Sequence, residues 1–262
     1  MRRHWLDHPA TALGIDPART IAILPTAAIE QHGPHLPVGV DTIINEGLCA
    51  QLAERCPEDI DIRLLPVQAV GKSNEHLWAP GTLTLTAETA LRAWTEIGLS
   101  VARAGVRKLL IVNSHGGNAD LISIVARELR VRAGLYCVRM GWGATGTPEG
   151  LYSAQEAAQG IHGGDTETSL MLHFRPDTVD MKQARDFRWT HGPGDLPPVG
   201  PVAHGWIASD VHPEGVAGEA HLATAEKGRA TAEAYVDGVI EVLRKMAAFD
   251  ASALRPVETP YS

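Results

Sequence analysis

Four short, almost continuously apolar segments alternate along the chain with longer segments in which apolar residues recur at helical spacing. The apolar segments are TIAILP (20–25), IRLLPV (62–67), RKLLIVN (107–113) and LYCVRM (135–140). Segments of this length that end at Pro, Asn or Gly are typical of strands buried on both faces. The pattern therefore predicts a mainly parallel central sheet.

The predicted helices lie between and after these strands. They cover about 42–56, 86–104, 118–133, the stretch from Gly164 to just before Pro176, and 221–247. Strands that alternate with helices indicate an α/β layered domain. The remaining stretch, 187–219, contains GPGDLPPVGP and has too many Pro and Gly residues for regular structure. It is predicted to be a long surface loop or an oligomer arm.

Length and composition fit one ordinary globular domain. The chain has 262 residues, of which 44% are hydrophobic and 21% charged, and single cores stop growing at roughly 250–300 residues. We therefore expect a single domain over 1–262, with its core at about 18–182 and 215–248.

The charge balance excludes some partners. A formal net charge of -8 argues against nucleic-acid binding, which needs clustered Lys and Arg. No segment approaches the roughly 18 continuous apolar residues of a membrane span, and no apolar run follows the N-terminal arginines. These features predict a cytoplasmic protein with a small-molecule or peptide substrate. Cys49, Cys56 and Cys137 show no C-x-x-C spacing and are expected to be free thiols.

Side chains that ligate metals follow three of the predicted strands. They are Glu30, His32 and Asp41 after the first strand, His115 in NSHGGN after the third, and His162, Asp165 and Glu167 in GIHGGDTETS beyond the fourth. Functional loops of open α/β sheets lie at the carboxyl ends of strands. Mixed imidazole and carboxylate groups suit two divalent cations of the zinc, manganese or iron type, and a carboxylate can bridge such a pair. The pattern indicates a dinuclear metal site.

Each of these residues also has an ordinary structural interpretation. A single histidine after a strand, such as His115, is more often a hydrogen-bonded core or rim residue. Glu30 alone can cap a helix, and Asp41 can serve as the N-cap of the helix that follows it. The spacing alone leaves these alternatives open.

A second motif favours a different site but lacks its context. GWGATG (141–146) matches the G-x-G-x-x-G of a dinucleotide-binding turn. Thr147, Pro148 and Glu149 follow where that helix should already run. The glycines instead favour a mobile loop, with Trp142 as a lid over a pocket. Trp142 and Trp78 are candidates to stack on a flat substrate.

Five blocks of the chain resemble, in order, the creatininase (creatinine amidohydrolase) family. They are LPTAAIEQHGPHLPVGVDT, GKSNEHLWAPGTLTL, IVNSHGGN, GIHGGDTETSLMLHFRPD and GVAGEAHLATAEKG. The resemblance implies a three-layer α/β/α sandwich, usually assembled into homohexamers. It also implies two metal ions per subunit and hydrolysis of carbon–nitrogen bonds other than peptide bonds.

The resemblance further implies roles for individual residues. Metal ligands are implied at Glu30 and His115 for one ion, at His32 for the other, and at Asp41 for both. His162 takes the place of the family's catalytic histidine, and the substrate is expected to lie near Ser73, His76 and Trp142. His35 is expected to lie behind the ligands or at the surface, with no specific role.

One departure from the family pattern affects the second ion. In creatininase itself the metal-binding histidine is followed by Tyr and Glu, and that Glu is a further ligand. Here the two positions are Gly116 and Gly117. Glu167 is the candidate replacement, with Asp165 behind it. The missing Tyr argues against creatinine as the substrate.

The sequence thus predicts a metal-dependent amidohydrolase that cleaves a small cyclic or linear amide with water activated between two metals. A formamide deformylase or a peptidase-like member of the same family is the alternative. A metal-dependent isomerase or lyase and a non-catalytic metal-binding protein are the rival classes.

Overall fold

The central sheet contains four parallel strands in the order β2-β1-β3-β4. They are β1 (Ile21–Thr26), β2 (Ile62–Leu64), β3 (Lys108–Asn113) and β4 (Tyr136–Gly141). The structure is a computed structural model that describes residues 2–189 and 196–256. Thr26 pairs with Asn113, and Asn113 with Gly141, so the carboxyl ends of three strands lie at one level.

The helices of the described residues lie between and after the strands. They are α1 (Val40–Arg55), α2 (Ala87–Arg103), α3 (Ala119–Ala133), α4 (Ala154–Gln159), α5 (Asp165–Phe174), α6 (Ala208–Val211) and α7 (Ala225–Ala248). Short 3-10 segments lie at Asn74–His76 and Gly116–Asn118. The predicted helices all appear, with ends displaced by about one turn or less. No helix of the described residues is long and apolar enough to cross a membrane.

Two helical layers cover the sheet. Ile21 and Ile23 of β1 pack into a cluster with α1, α5 and α7, whereas Ala22 and Leu24 pack with α2 and α3. The alternation arises because successive residues of a strand point to opposite faces. The predicted three-layer α/β/α sandwich is confirmed.

The strand order reverses beside β1. The chain passes from β1 to the edge strand β2, and then crosses back to β3 and β4 on the other side. In open α/β sheets this reversal opens a crevice at the carboxyl ends of the two central strands, where ligands bind. The loops after β1 and β3 therefore meet at one place.

The predicted loop at 187–219 is partly packed against the domain. Phe187 and Gly218 exchange backbone hydrogen bonds of 2.9 and 3.0 Å, and Phe187 and Val216 are buried in a small cluster with Ala220. Residues 190–195, which include part of GPGDLPPVGP, lie outside the described residues. A role for this segment as an oligomer arm stays a prediction.

Close packing of α5 against α7 gives a test of the fold. A Cβ at Gly228 of α7 would overlap the backbone carbonyl group of Ser169 in α5. Because two helix backbones cannot easily separate, Gly228→Ala is expected to lower the free energy of unfolding by about 1–3 kcal/mol, the usual cost of overpacking. Urea denaturation measures the change. Gly205→Ala is the control, since a Cβ there meets nothing within 4 Å, and equal stability of the two variants would contradict this packing.

Candidate metal centre

Four elements bring the predicted ligands together at the reversal of the sheet. Glu30 and His32 lie in the loop after β1, Asp41 in the first turn of α1, His115 directly after β3 and Glu167 in the first turn of α5. The first four are at most 5% exposed, and the Glu167 side chain is 24% exposed. Asp41 does not cap α1, because the N-cap residue is Gly39.

Four groups of potential metal-ligating side chains occur within the described residues, and two of them share Asp41. In one group, His115 Nδ1 lies 3.3 Å from Glu30 Oε1 and 3.6 Å from Asp41 Oδ2. In the other, His32 Nε2 lies 4.0 Å from Asp41 Oδ2 and 3.8 Å from Glu167 Oε2. Ligands around one tetrahedral zinc ion lie about 3.3 Å apart, since each is about 2.0–2.1 Å from the metal. The spacing in both groups is close to that of a metal site.

Several buried atoms of the centre lack a hydrogen-bond partner within the described residues. Both carboxylate oxygens of Glu30, together with His32 Nε2 and Asp41 Oδ2, make no hydrogen bond of normal geometry within the described residues. A buried carboxylate without a partner costs several kcal/mol, by order of magnitude. A divalent cation in each group would satisfy these atoms. The side chains present therefore fit two cations.

Charge in the cluster points to the same conclusion. Burial and the neighbouring Glu30 carboxylate raise the pKa of Asp41 well above its usual value. Burial lowers the pKa of His115, but Glu30 and Asp41 outweigh it and raise this pKa to about 10. Without a cation, the cluster offsets carboxylate repulsion by binding protons, so cation binding and proton release are coupled.

His162 presents only one nitrogen to the centre. Its Nε2 donates to the Gln31 carbonyl oxygen at 2.7 Å, and its Nδ1 lies 3.5 Å from Glu30 Oε1. The ring packs 4.1 Å from that of His32 and 4.3 Å from that of His76. Burial, followed by the nearby His32, lowers the pKa of His162 to about 4. The neutral ring thus directs the Nδ1 lone pair toward the ligands.

Ser73 and His76 lie behind the ligands. His76 accepts from Gln31 Nε2 at Nδ1 (2.9 Å), which leaves Nε2–H to face Glu30 Oε1 at 3.3 Å. The Ser73 hydroxyl lies 3.4 Å from His115 Nε2. Their contacts are therefore with ligand side chains. The predicted contact of either residue with substrate stays a prediction.

The two tryptophans have different surroundings. Trp142 is 2% exposed, and its Nε1 donates to Asn45 Oδ1 at 3.2 Å. It belongs to the core and is no mobile lid, although its residue lines a cavity with His115 and Glu167. Trp78 is 45% exposed. Stacking of either ring on a substrate stays a prediction.

Crowding around residue 117 explains why this position is occupied by glycine. A Cβ at this position would overlap Glu75 Oε1 and lie 2.5 Å from the Lys72 carbonyl oxygen. The Glu75 carboxylate could move aside, but the Lys72 carbonyl oxygen belongs to the backbone, so a side chain at this position would require the backbone to shift. Glu167 has a ligand oxygen near His32 and Asp41.

Asp165 and His35 make their contacts with other protein groups near His162. Asp165, beside Glu167 in sequence, binds Lys227 at 2.5 Å and Ser169 at 2.9 Å. It belongs to none of the ligand groups of the described residues. His35 Nε2 lies 3.1 Å from the Gly163 carbonyl oxygen, next to His162.

The sequence motifs do not identify two buried amide side chains near the metal centre. Gln31 donates to the Gly215 carbonyl oxygen at 2.7 Å and accepts from the Gly33 amide at 2.9 Å. Asn118 donates to Ala27 O at 3.0 Å and to Asn113 Oδ1 at 3.1 Å. Both lie inside the quoted motifs, but residue type alone does not separate a buried amide from an exposed one.

This fold and site define a class: α/β/α proteins with a cluster of metal-ligating side chains where a parallel sheet reverses its strand order. Within it the chain belongs to the creatininase family, because the creatinine amidohydrolase profile matches residues 10–243. The predicted resemblance is confirmed. Membership also confirms the prediction of a hydrolase acting on carbon–nitrogen bonds other than peptide bonds.

Individual relatives cover most of the chain. A mycofactocin precursor peptide peptidase of Mycobacterium tuberculosis is 33% identical over 226 residues, which are 83% of this chain and 82% of the relative. A creatinine amidohydrolase of Pseudomonas putida is 31% identical over 260 residues, 92% of this chain and 94% of the relative. A solved structure described as "Creatininase Mn" has a TM-score of 0.70 at 26% identity, and covers 88% of this chain and 92% of its own.

Proposed function

We propose that this hydrolase uses two divalent cations, held by the ligand groups that share Asp41, to cleave the amide bond of a small molecule. The observation that carries the proposal is the convergence of unsatisfied buried atoms of Glu30, His32 and Asp41. Glu30, Asp41 and His115 would hold one ion, and His32, Asp41 and Glu167 the other. Zinc, manganese and iron all suit this donor set.

Cations of this kind, when bound, lower the pKa of a water molecule toward neutrality and polarise a substrate carbonyl group. The protein itself supplies orientation and proton transfer. Gln31 fixes the His162 ring by accepting from Nε2, so Nδ1 is the atom that takes up a proton and passes it to the departing amide nitrogen. Glu167, held by the Gly163 amide at 2.5 Å, keeps its carboxylate directed at His32.

Similarity to the mycofactocin precursor peptide peptidase supports a peptidase-like alternative. Both chemistries place an amide carbonyl at the same centre. We favour a small cyclic or linear amide, because a cavity of about 370 Å³ adjoins the ligands and lies at the lower end of the range for small-molecule sites. The homohexamer and cytoplasmic location stay predictions.

Hydrolysis of an amide panel by protein loaded with manganese or zinc tests the proposal. The panel contains creatinine, hydantoins, other lactams, formamides and C-terminal dipeptide amides. We expect about two cations per chain by metal analysis and metal-dependent release of an amine or opening of a ring. Fewer than about one cation per chain would favour a non-catalytic protein, and turnover without consumption of water would favour an isomerase or lyase.

A further inference from the structure

One cavity of the described residues connects the metal centre with a cationic side chain. It measures about 370 Å³, and its lining includes His115 and Glu167 of the metal centre together with Arg139. A larger cleft of about 610 Å³ beside Arg55 and Arg244 is lined by none of the ligands. The smaller cavity is therefore a place from which a substrate can reach the ligands.

Arg139 lies near the end of the edge strand β4 and is exposed. Its guanidinium group has no hydrogen-bond or ion-pair partner within residues 2–189 and 196–256. It is also the single lysine or arginine among the described residues lining this cavity. A guanidinium group presents a planar fork of N–H donors, which matches the two oxygens of a carboxylate.

The remaining lining strengthens such an interaction. Ile122, Trp142 and Leu170 contribute apolar surface to the same cavity. These walls reduce the screening of an ion pair on the side that faces the cavity, while the exposed side of Arg139 stays in contact with water. At the other end of the cavity, the carboxylates of the metal centre repel an anionic group of the substrate. A substrate with an anionic group would thus be oriented with this group at Arg139 and its amide at the ligands.

The geometry points to a substrate that carries a carboxylate in addition to the amide that is cleaved, and to Arg139 as the residue that selects it. This inference rests on the proposed function, because it places the amide at the metal centre. Neutral lactams such as creatinine lack this carboxylate and lie outside the substrate class. N-formyl amino acids and carboxylated hydantoins are members of the class.

Matched substrate pairs test the inference. N-formyl-β-alanine is compared with N-formylpropylamine, and hydantoin-5-acetate with 5-methylhydantoin. For the wild type, kcat/KM should be higher for the acid of each pair, and Arg139→Gln should reduce this value about 5- to 10-fold, because a charge-assisted hydrogen bond to an exposed guanidinium is partly screened by water. The loss should fall mainly on KM, and the values for the neutral partners should not change. Arg139→Lys should restore part of the preference.

Controls separate this inference from the function on which it rests. Arg103→Gln removes an exposed arginine whose guanidinium donates to Ser100, and it should leave both members of each pair unaffected. Calorimetry with metal-free protein gives a readout other than turnover: hydantoin-5-acetate should bind the wild type more tightly than it binds the Arg139→Gln variant. Equal kcat/KM for acid and neutral partners would overturn the inference alone. Failure to hydrolyse any amide would overturn the proposed function instead.

Discussion

Asp41→Asn is expected to remove both cations and to lower kcat/KM by about 10³-fold or more, since one electrostatic group at a reacting centre is commonly worth 10²–10³. Asp41 Oδ2 belongs to both ligand groups and has no hydrogen-bond partner within the described residues. An uncharged amide would be a weaker ligand than a carboxylate for either cation. Metal analysis after gel filtration and steady-state kinetics measure the two effects.

The same substitution should have the opposite effect on the metal-free protein. Glu30 and Glu167 both raise the pKa of Asp41, after burial itself, so removal of its charge relieves repulsion. Metal-free Asp41→Asn should therefore melt at or above the temperature of the metal-free wild type. Added manganese should raise the melting temperature of the wild type only, because ligands stabilise the state they bind.

Two further variants complete this experiment. Glu167→Gln should lose one cation and keep the other, since Glu167 belongs to a single group that includes Asp41. Glu46→Gln changes an exposed carboxylate on the same helix, α1, and should retain both cations. An Asp41→Asn variant that still holds two cations would refute the shared ligand.

His162→Ala is expected to lower kcat by about 10²–10⁴-fold, the usual contribution of a general acid or base, while both cations stay bound. The reason is the orientation of the ring, whose Nε2 is engaged by the Gln31 carbonyl oxygen and whose Nδ1 faces the centre. kcat is measured at saturating metal, and metal content is measured on the same sample.

The metal content decides between two roles for His162. Glu30, His32 and His162 also lie close enough together to hold an ion, so a ligand role would appear as the loss of one cation. His221→Ala serves as the matched control, because this histidine is exposed. Unchanged kcat with both cations bound would contradict the proton-transfer role.

The fold was predictable because its determinants are local. β1 and β3 are buried along their whole length, and a strand covered on both faces is mostly apolar. The position of the candidate ligands followed from the same rule, since loops at the carboxyl ends of parallel strands meet. Glu30 and His115, 85 positions apart by their numbers, are in contact for this reason.

Other features of the site depend on contacts that no local pattern contains. Trp142 is buried in the cluster with α1, α5 and α7, and Asn45 of α1 accepts its N–H. The glycine-rich sequence around Trp142 indicates neither contact. Gln31 and Asn118 are polar residues whose amides join separate loops. The orientation of the Arg139 side chain depends on the cavity around it, and only the folded chain shows that cavity.

The contact between Gly117 and Glu75 constrains how this site can change. A side chain at 117 and the carboxylate at 75 need the same volume, so changes at the two positions are not independent. A glutamate introduced at 117 alone would meet an occupied space, and loss of Glu75 alone would leave a space beside His115. Because the Lys72 carbonyl oxygen also lies 2.5 Å from such a Cβ, removal of Glu75 alone would not admit a side chain, and a larger residue at 117 requires the backbone at 72 to move as well.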